Sequence, residues 1–267
     1  MPKVVLITGA SSGIGKAAAE FLSAKGFRVY GTGRNPKNNE NNGYSLLPLD
    51  VTKPDTISTA INLILEKEGR LDVLVNNAGM GITGPIEDTP TNEMRKVFET
   101  NFFGAIDMMK AVLPQMRKQQ SGTIINVTSI AGYMGLPYRG VYSATKGALD
   151  LVSEAARMEV KEFGVNIVTI APGDVATNIA AGRYHTPVFD NSAYKEKYQM
   201  NLDLMDSHVD SGMNPIKMAE KIHQIVNLKQ PIVHYKVGAF MEKFSIVLKK
   251  ILPSKIYEKL LMNHYKL

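Results

Sequence analysis

Tyr142 and Lys146 stand four residues apart in the run Val141-Tyr142-Ser143-Ala144-Thr145-Lys146. On a helix that spacing puts both side chains on one face, one turn from each other. A free phenol titrates near ~10 and is a poor acid or base at neutral pH. A nearby ammonium stabilises the phenolate, lowers that value and makes the proton transferable. The pair alone proves little, since eleven tyrosines and twenty-three lysines in 267 residues yield about one Tyr-x-x-x-Lys by chance. It gains meaning only if the rest of the chain builds a site around it. Tyr138 offers no rival pair, because its own i+4 neighbour is Tyr142 and not a lysine.

The elements that must position the pair begin at the N-terminus. Residues 3–7 are short, apolar and β-branched without alternation, which reads as a buried strand. Thr8-Gly9-Ala10-Ser11-Ser12-Gly13-Ile14-Gly15 follows at once, and a helical pattern covers 16–25. A strand, a glycine-rich turn and a helix set backbone N–H groups and a positive helix end against phosphates. Gly9, Ser11, Ser12, Gly13, Ile14 and Gly15 are therefore candidate cofactor contacts, although the spacing is G-x-x-x-G-x-G and not the commoner G-x-G-x-x-G. A second strand covers 27–32, and Gly33-Arg34-Asn35 closes it where an acidic residue would hold a ribose 2′-hydroxyl. A carboxylate there would repel a 2′-phosphate, whereas the Arg34 guanidinium can pair with one. That favours NADP(H).

Further along, 35–42 is a polar, asparagine-rich surface loop and 44–49 a third strand ending at Asp50-Val51. A helix over 54–68 and a strand over 71–75 lead into Asn76-Asn77-Ala78-Gly79, small and amide side chains suited to a ligand lying across a sheet edge. Two nearly continuous helices follow at 90–101 and 102–120, then a strand at 122–128 with Ser129 at its end. A long helix at 141–163 carries Tyr142 and Lys146, and a strand at 165–171 ends in Pro172-Gly173. Strands alternating with helices in this rhythm predict an α/β fold with a parallel, doubly wound, Rossmann-type sheet of about seven strands. Residues 178–215 should fold over the substrate as short helices and loop, with aromatic and methionine side chains suiting an apolar pocket. A helix at 215–228 and a last strand at 231–235 complete the body.

The motifs from Thr8 to Gly15, Asn76 to Gly79, Asn101, Ser129, Tyr142 with Lys146, and Pro172-Gly173 to Thr177 occur in an order and spacing that resembles the short-chain dehydrogenase/reductase family in its compact form. The resemblance covers residues 1 to about 235 and implies roles. Tyr142 would pass a proton to a substrate carbonyl oxygen as hydride arrives from a nicotinamide. Lys146 would lower the Tyr142 pKa and hydrogen-bond the nicotinamide ribose. Ser129 would hold the carbonyl oxygen, and Asn101 would help carry a water-linked proton relay to Lys146. Asp50 and Val51 would touch the adenine end, Asn77, Ala78 and Gly79 the adenine ribose side. Pro172-Gly173, Val175 and Thr177 would face the nicotinamide. The family also implies a homodimer or homotetramer, paired through helices near 102–120 and 141–163.

Composition sets the outer bounds. The chain is 44% hydrophobic and 21% charged, ordinary for a soluble globular protein. With no cysteine there is no disulfide frame, thiolate nucleophile or cysteine metal site, which is compatible with a cytoplasmic location. His185 and His208 lack metal-ligand spacing, so no metal is assigned. Met1-Pro2-Lys3 runs straight into an apolar strand without the pattern of a targeting leader, and no run approaches the roughly 18 apolar residues of a transmembrane helix. The net charge is +6, but seven lysines against Glu242 and Glu258 in residues 236–267 give that tail +5. A body left near neutral argues against a nucleic-acid-binding face. We therefore divide the chain into a catalytic domain, 1–235, and a basic extension, 236–267.

In that extension Phe240, Phe244, Val247, Leu248 and Ile251 fall on one apolar helical face, and Ile256, Leu260 and Leu261 begin a second amphipathic segment. It can pack on its own domain, cover a partner subunit or pocket, or rest peripherally on an anionic membrane. Such a tail resembles family members acting on steroids, retinoids and long-chain keto lipids. The expectation is an NADP(H)-dependent oxidoreductase interconverting a secondary alcohol and a lipophilic ketone. The alternative is a non-catalytic NADP(H)-binding scaffold of the same fold.

Overall fold

Apolar strands too short to stand alone are buried here by helices on both faces of one sheet. The computed structural model describes residues 1–36, 43–177 and 182–267, with side chains described except at 208–210. The sheet is built from β1 (Val4–Ile7), β2 (Arg28–Gly33), β3 (Ser45–Pro48), β4 (Val73–Asn76), β6 (Gly122–Val127), β7 (Val165–Pro172) and β9 (His234–Val237), all parallel, in the order β3-β2-β1-β4-β6-β7-β9. A two-stranded parallel pair, β5 (Ile82–Thr83) with β8 (Tyr184–His185), lies apart from it. The chain runs outward from β1 in one direction to β3 and returns to run outward the other way from β4. The crevice beyond the carboxyl ends of β1 and β4 is therefore the switch point where ligands bind in such sheets.

The helices are α1 (Gly13–Ala24), α2 (Pro54–Glu68), α3 (Thr91–Phe98), α4 (Gly104–Gln119), α5 (Gly140–Glu159), α6 (Lys195–Asp210), α7 (Ile216–Val226), α8 (Phe240–Ile251) and α9 (Ser254–His264). α2 shows how directly the sequence writes them. Pro54 opens it, Ile57, Ala60, Ile61 and Ile64 form its buried stripe, and Gly69 stops it in the left-handed region at φ 69°. The α2, α4 and α5 side buries Leu6, Leu74, Ile124 and Ile167, and the α1 and α7 side buries Val5, Ile7, Val75, Val168 and Ile170. The alternating residues of each strand thus feed two cores.

Three elements differ from expectation. The nearly continuous helices α3 and α4 are joined by a π-helical turn, Glu99–Phe103, instead of a break. Within the segment read as a lid of short pieces, α6 is a single helix of sixteen residues. Residues 178–181, most of the 35–42 loop and the His208 side chain lie outside the described residues. The last strand is His234–Val237, so the boundary drawn at 235 falls inside β9.

The tail is bound to the body by a third apolar cluster: Ile246 of α8 and Tyr257 of α9 pack on Ile130, Met134 and Ala171. Lys249 donates to the Tyr133 carbonyl at 2.7 Å, and Tyr257 to the Met134 sulfur at 3.0 Å. Of the apolar face formed by Phe240, Phe244, Val247, Leu248 and Ile251, Leu248 packs against this cluster. Phe240, Phe244, Val247 and Ile251 are turned to solvent, and Glu242, Ser245, Ile246 and Lys249 face the protein.

Candidate active site

Thr8 ends β1 with its hydroxyl accepting the N–H groups of Asn77 and Ala78, both at 2.9 Å. Asn77 answers by donating its side-chain amide to the carbonyls of Thr8 and Gly9, at 2.9 and 3.2 Å. The loop after β1 is thereby clasped to the loop after β4, and the Asn77 amide is spent on that clasp. Gly9 and Gly13 take positive φ, 67° and 54°. Gly15 lies under the turn, where a Cβ would be driven into the Gly9 carbonyl and the Asn77 amide. The Ser12 side chain makes no cap hydrogen bond to α1, so the first N–H groups of that helix are left for a ligand. This tight, amide-lined cradle fits the pyrophosphate of a dinucleotide. Arg34, exposed at the end of β2, stands near Asp50. Burial works against the Asp50 charge, but hydrogen bonds from Thr52 and the charges of Lys53 and Arg34 outweigh it and hold the carboxyl below its usual range. Ser11 lies beside Gly33, and Val51 is buried against Gly104 of α4.

On the other side of the crevice, Ser129 ends β6 and accepts the Ala131 N–H at 3.1 Å, which opens a 3₁₀ turn, Ile130–Tyr133. Gly132 in that turn approaches α5 so closely that a Cβ there would lie 3.0 Å from the Gly147 nitrogen. That approach brings Ser129 close enough to Tyr142 for its hydroxyl to favour the phenolate. Lys146, buried, donates to the Val127 carbonyl at 2.9 Å, and its ammonium lies 6.0 Å from the centre of the Tyr142 ring. Burial lowers its pKa to about 8. Asn101 sits in the π-helical turn, 1% exposed. Its side chain accepts from the Met80 N–H at 2.8 Å and donates to the Met80 carbonyl at 2.9 Å and to Thr145 at 3.2 Å. It fixes the chain after Gly79 to the helix that carries Lys146. Wide turns of this kind recur at functional sites.

The expectation that Lys146 pulls the tyrosine down is not met in this arrangement. Burial is the leading influence and raises the Tyr142 pKa; Arg139, the Ser129 hydrogen bond and Arg183 pull it back, and Asp174 pushes it up. Arg139 stacks over the Tyr142 ring at 5.5 Å. Arg183 is buried, with its stem across Gly81 and a 3.3 Å hydrogen bond to Asp206. Neither arginine was singled out from sequence. Arg139 had a readable position, three residues before Tyr142, whereas Arg183 reaches the site only through the path of the chain after residue 181.

One cavity of about 1120 Å³ joins Ile14, Asn77, Gly79, Ser129, Tyr142, Lys146, Pro172, Gly173, Val175 and Thr177. Gly9, Ser11, Ser12, Gly13, Gly15, Arg34, Asp50, Val51, Ala78 and Asn101 are not in its wall; they shape the crevice beside it or brace it from behind. Met134, Leu136, Met241, Leu248 and Leu260 line the same cavity, together with Lys236, Glu242, Lys243 and Ser245. Glu242 of α8 accepts the Asp174 N–H at 2.7 Å and so ties the tail to the end of β7. Among the described residues one cluster has metal-ligand types: Asp150, Glu154 and His234. The His234 Nε2 lies 2.9 Å from Glu154, and its Nδ1 is 2.9 Å from the Thr169 hydroxyl and 3.4 Å from Asp150, whose buried Oδ1 has no hydrogen-bond partner among the described residues.

A family model described as short chain dehydrogenase matches residues 3–187. The chain is a short-chain dehydrogenase. It is 39% identical over 265 residues to 3-ketodihydrosphingosine reductase of Bacteroides thetaiotaomicron, an alignment covering 99% of this chain and 98% of that one. A short-chain dehydrogenase from Streptomyces avermitilis has the same fold with a TM-score of 0.81 and 32% identity, covering 97% of each chain. ElxO, solved with NADP bound, matches with a TM-score of 0.73 and 29% identity over 89% of this chain and 97% of its own. The dehydrogenase is thus an oxidoreductase with a crevice for a nicotinamide cofactor, and the cofactor supplies the hydride.

Proposed function

We propose that the enzyme is an NADP(H)-dependent reductase of lipophilic ketones, interconverting them with secondary alcohols. What carries this reading is that Ser129, Tyr142 and Lys146 share one cavity with the apolar side chains of Met134, Leu136, Met241, Leu248 and Leu260. A carbonyl held by the hydroxyls of Ser129 and Tyr142 would set its alkyl chain against those side chains. The relative named 3-ketodihydrosphingosine reductase supports a keto lipid, and Arg34 at the end of β2 supports the 2′-phosphate form of the cofactor.

In reduction the Tyr142 hydroxyl donates its proton to the carbonyl oxygen as the carbonyl carbon receives hydride, so the C=O becomes CH–OH. Ser129 donates a hydrogen bond to the oxygen while charge builds there. Lys146, largely protonated below its pKa of about 8, keeps a positive charge behind the tyrosine. Asn101, by holding Met80 and Thr145, keeps the relay path behind Lys146 in place. A phenol whose pKa is raised stays protonated through the neutral range, which suits the reducing direction.

The test combines binding with turnover. NADPH and NADH titrations followed by fluorescence should show preference for NADPH that collapses in Arg34→Ala. Tyr142→Phe should keep NADPH binding and lose turnover of long-chain ketones by roughly three orders of magnitude. Equal affinity for both cofactors in wild type removes the Arg34 assignment. A Tyr142→Phe variant with near-normal rates removes the proton-donor role.

A further inference from the structure

The tail helices α8 and α9 each carry an apolar stripe that the protein does not cover. On α8, Phe240, Phe244, Val247 and Ile251 recur every three or four residues, 72%, 37%, 47% and 67% exposed, on the side opposite Glu242, Ser245, Ile246 and Lys249. The Phe240 and Phe244 rings stack at 5.5 Å. On α9, Tyr257 turns inward while Ile256 and Leu260 stay exposed. Each stripe is flanked along one edge by two exposed lysines, Lys243 and Lys250 on α8 and Lys255 and Lys259 on α9. The opposing charges in residues 236–267 are Glu242, engaged with the Asp174 and Ala239 N–H groups, and Glu258, which is exposed. Met241 and Leu260 of these helices line the cavity and are also exposed, as are the lining residues Gly79, Lys217, Lys236 and Lys243, so the cavity wall and this surface share residues.

We propose that the α8–α9 surface docks on an anionic lipid bilayer and that the substrate enters the cavity from the lipid phase between Met241 and Leu260. The inference builds on the lipophilic-ketone reading. A helix with an apolar face and lysines along its edge lies in the plane of a bilayer, side chains sunk about 5–10 Å and ammonium groups at the headgroups. None of the described helices is long and apolar enough to cross a membrane, so the contact is peripheral. A second copy of this chain is the poorer occupant, because pairing would set two tails, each of net charge +5, against each other.

The test is sedimentation of the full chain with vesicles of phosphatidylcholine alone or of an equal mixture with phosphatidylglycerol. Binding to the mixed vesicles is expected to be at least about tenfold stronger and to fall at about 1 M salt, where the screening length is near 3 Å. The exposed-site variants Phe240→Ser with Ile251→Ser should lose binding about tenfold, and Lys250→Glu with Lys255→Glu should abolish the preference for anionic vesicles. A wild type that stays in solution with both vesicle types overturns the proposal. So does binding that the Phe240→Ser, Ile251→Ser variant retains, or an assembly of copies that this variant splits and no vesicle recruits. Reduction of a water-soluble ketone without vesicle binding would sink the docking alone. Vesicle binding without turnover of any lipophilic ketone would sink the substrate reading alone.

Discussion

Two influences compete for one proton at Tyr142. Burial holds it on the phenol, and the guanidiniums of Arg139 and Arg183 favour its release. The reducing reaction needs the protonated form and the oxidising reaction the ionised form, so the arginines matter most for oxidation. Replacing Arg139 by alanine removes a positive charge and raises the Tyr142 pKa further. The pH at which alcohol oxidation reaches half its maximum should therefore move up. Arg139→Lys should restore most of the shift. A pH–rate profile of oxidation checks this, and an unmoved or lowered midpoint would contradict it. At this scale the sequence was informative about Tyr142 and Lys146 because helical spacing fixes their face. It was silent on the charges around them: Arg183 is distant along the chain, and the ammonium of Lys146 turns to the Val127 carbonyl instead of the phenol.

Secondary-structure elements were legible wherever one face is apolar and the other polar. α2 was read to the residue, and β1, β6 and β7 to within a few, because β-branched runs ended in Gly, Pro or Asn. α6 was missed as a single helix because its inward face includes Asn201 as well as Tyr198 and Met205, which weakens the apolar period. The apolar stripe of α8 was legible from its strong period, which left open what covers it, and in the structure most of it faces solvent. The π-helical turn at Asn101 has no residue pattern that distinguishes it from α-helix. The glycine turn allows a sharper prediction. Gly15→Ala should cost about 1–3 kcal/mol of stability, the usual price of overpacking, and should abolish binding of the nicotinamide cofactor by displacing the Gly9 and Asn77 clasp. Thermal unfolding and cofactor titration measure both, and a variant matching wild type in each would show that the turn has room.

For the molecule as a whole, α5 presents Leu151 and Met158, seven residues apart, 68% and 72% exposed, and Phe103 at the start of α4 is 47% exposed. Two long helices with uncovered apolar residues away from the cavity are the expected subunit contact. We expect a homodimer or homotetramer in solution, reduced to a smaller species by Leu151→Asp. Light scattering after gel filtration gives the masses, and a monomeric wild type would exclude the contact. The parallel, doubly wound sheet followed from the alternation of strands and helices. The shape of the cavity did not, because its far wall comes from residues 236–267, whose packing depends on which side of α8 faces inward.

That far wall also sets an order in time. Ser129, Tyr142 and Lys146 are synthesised well before Tyr257 and Tyr265, which are buried beside Met134 and Arg139. A chain emerging from the ribosome can pair β1 to β7 while the cavity still lacks one side. The groups proposed for catalysis can come together first, and the compartment that shields them closes afterwards.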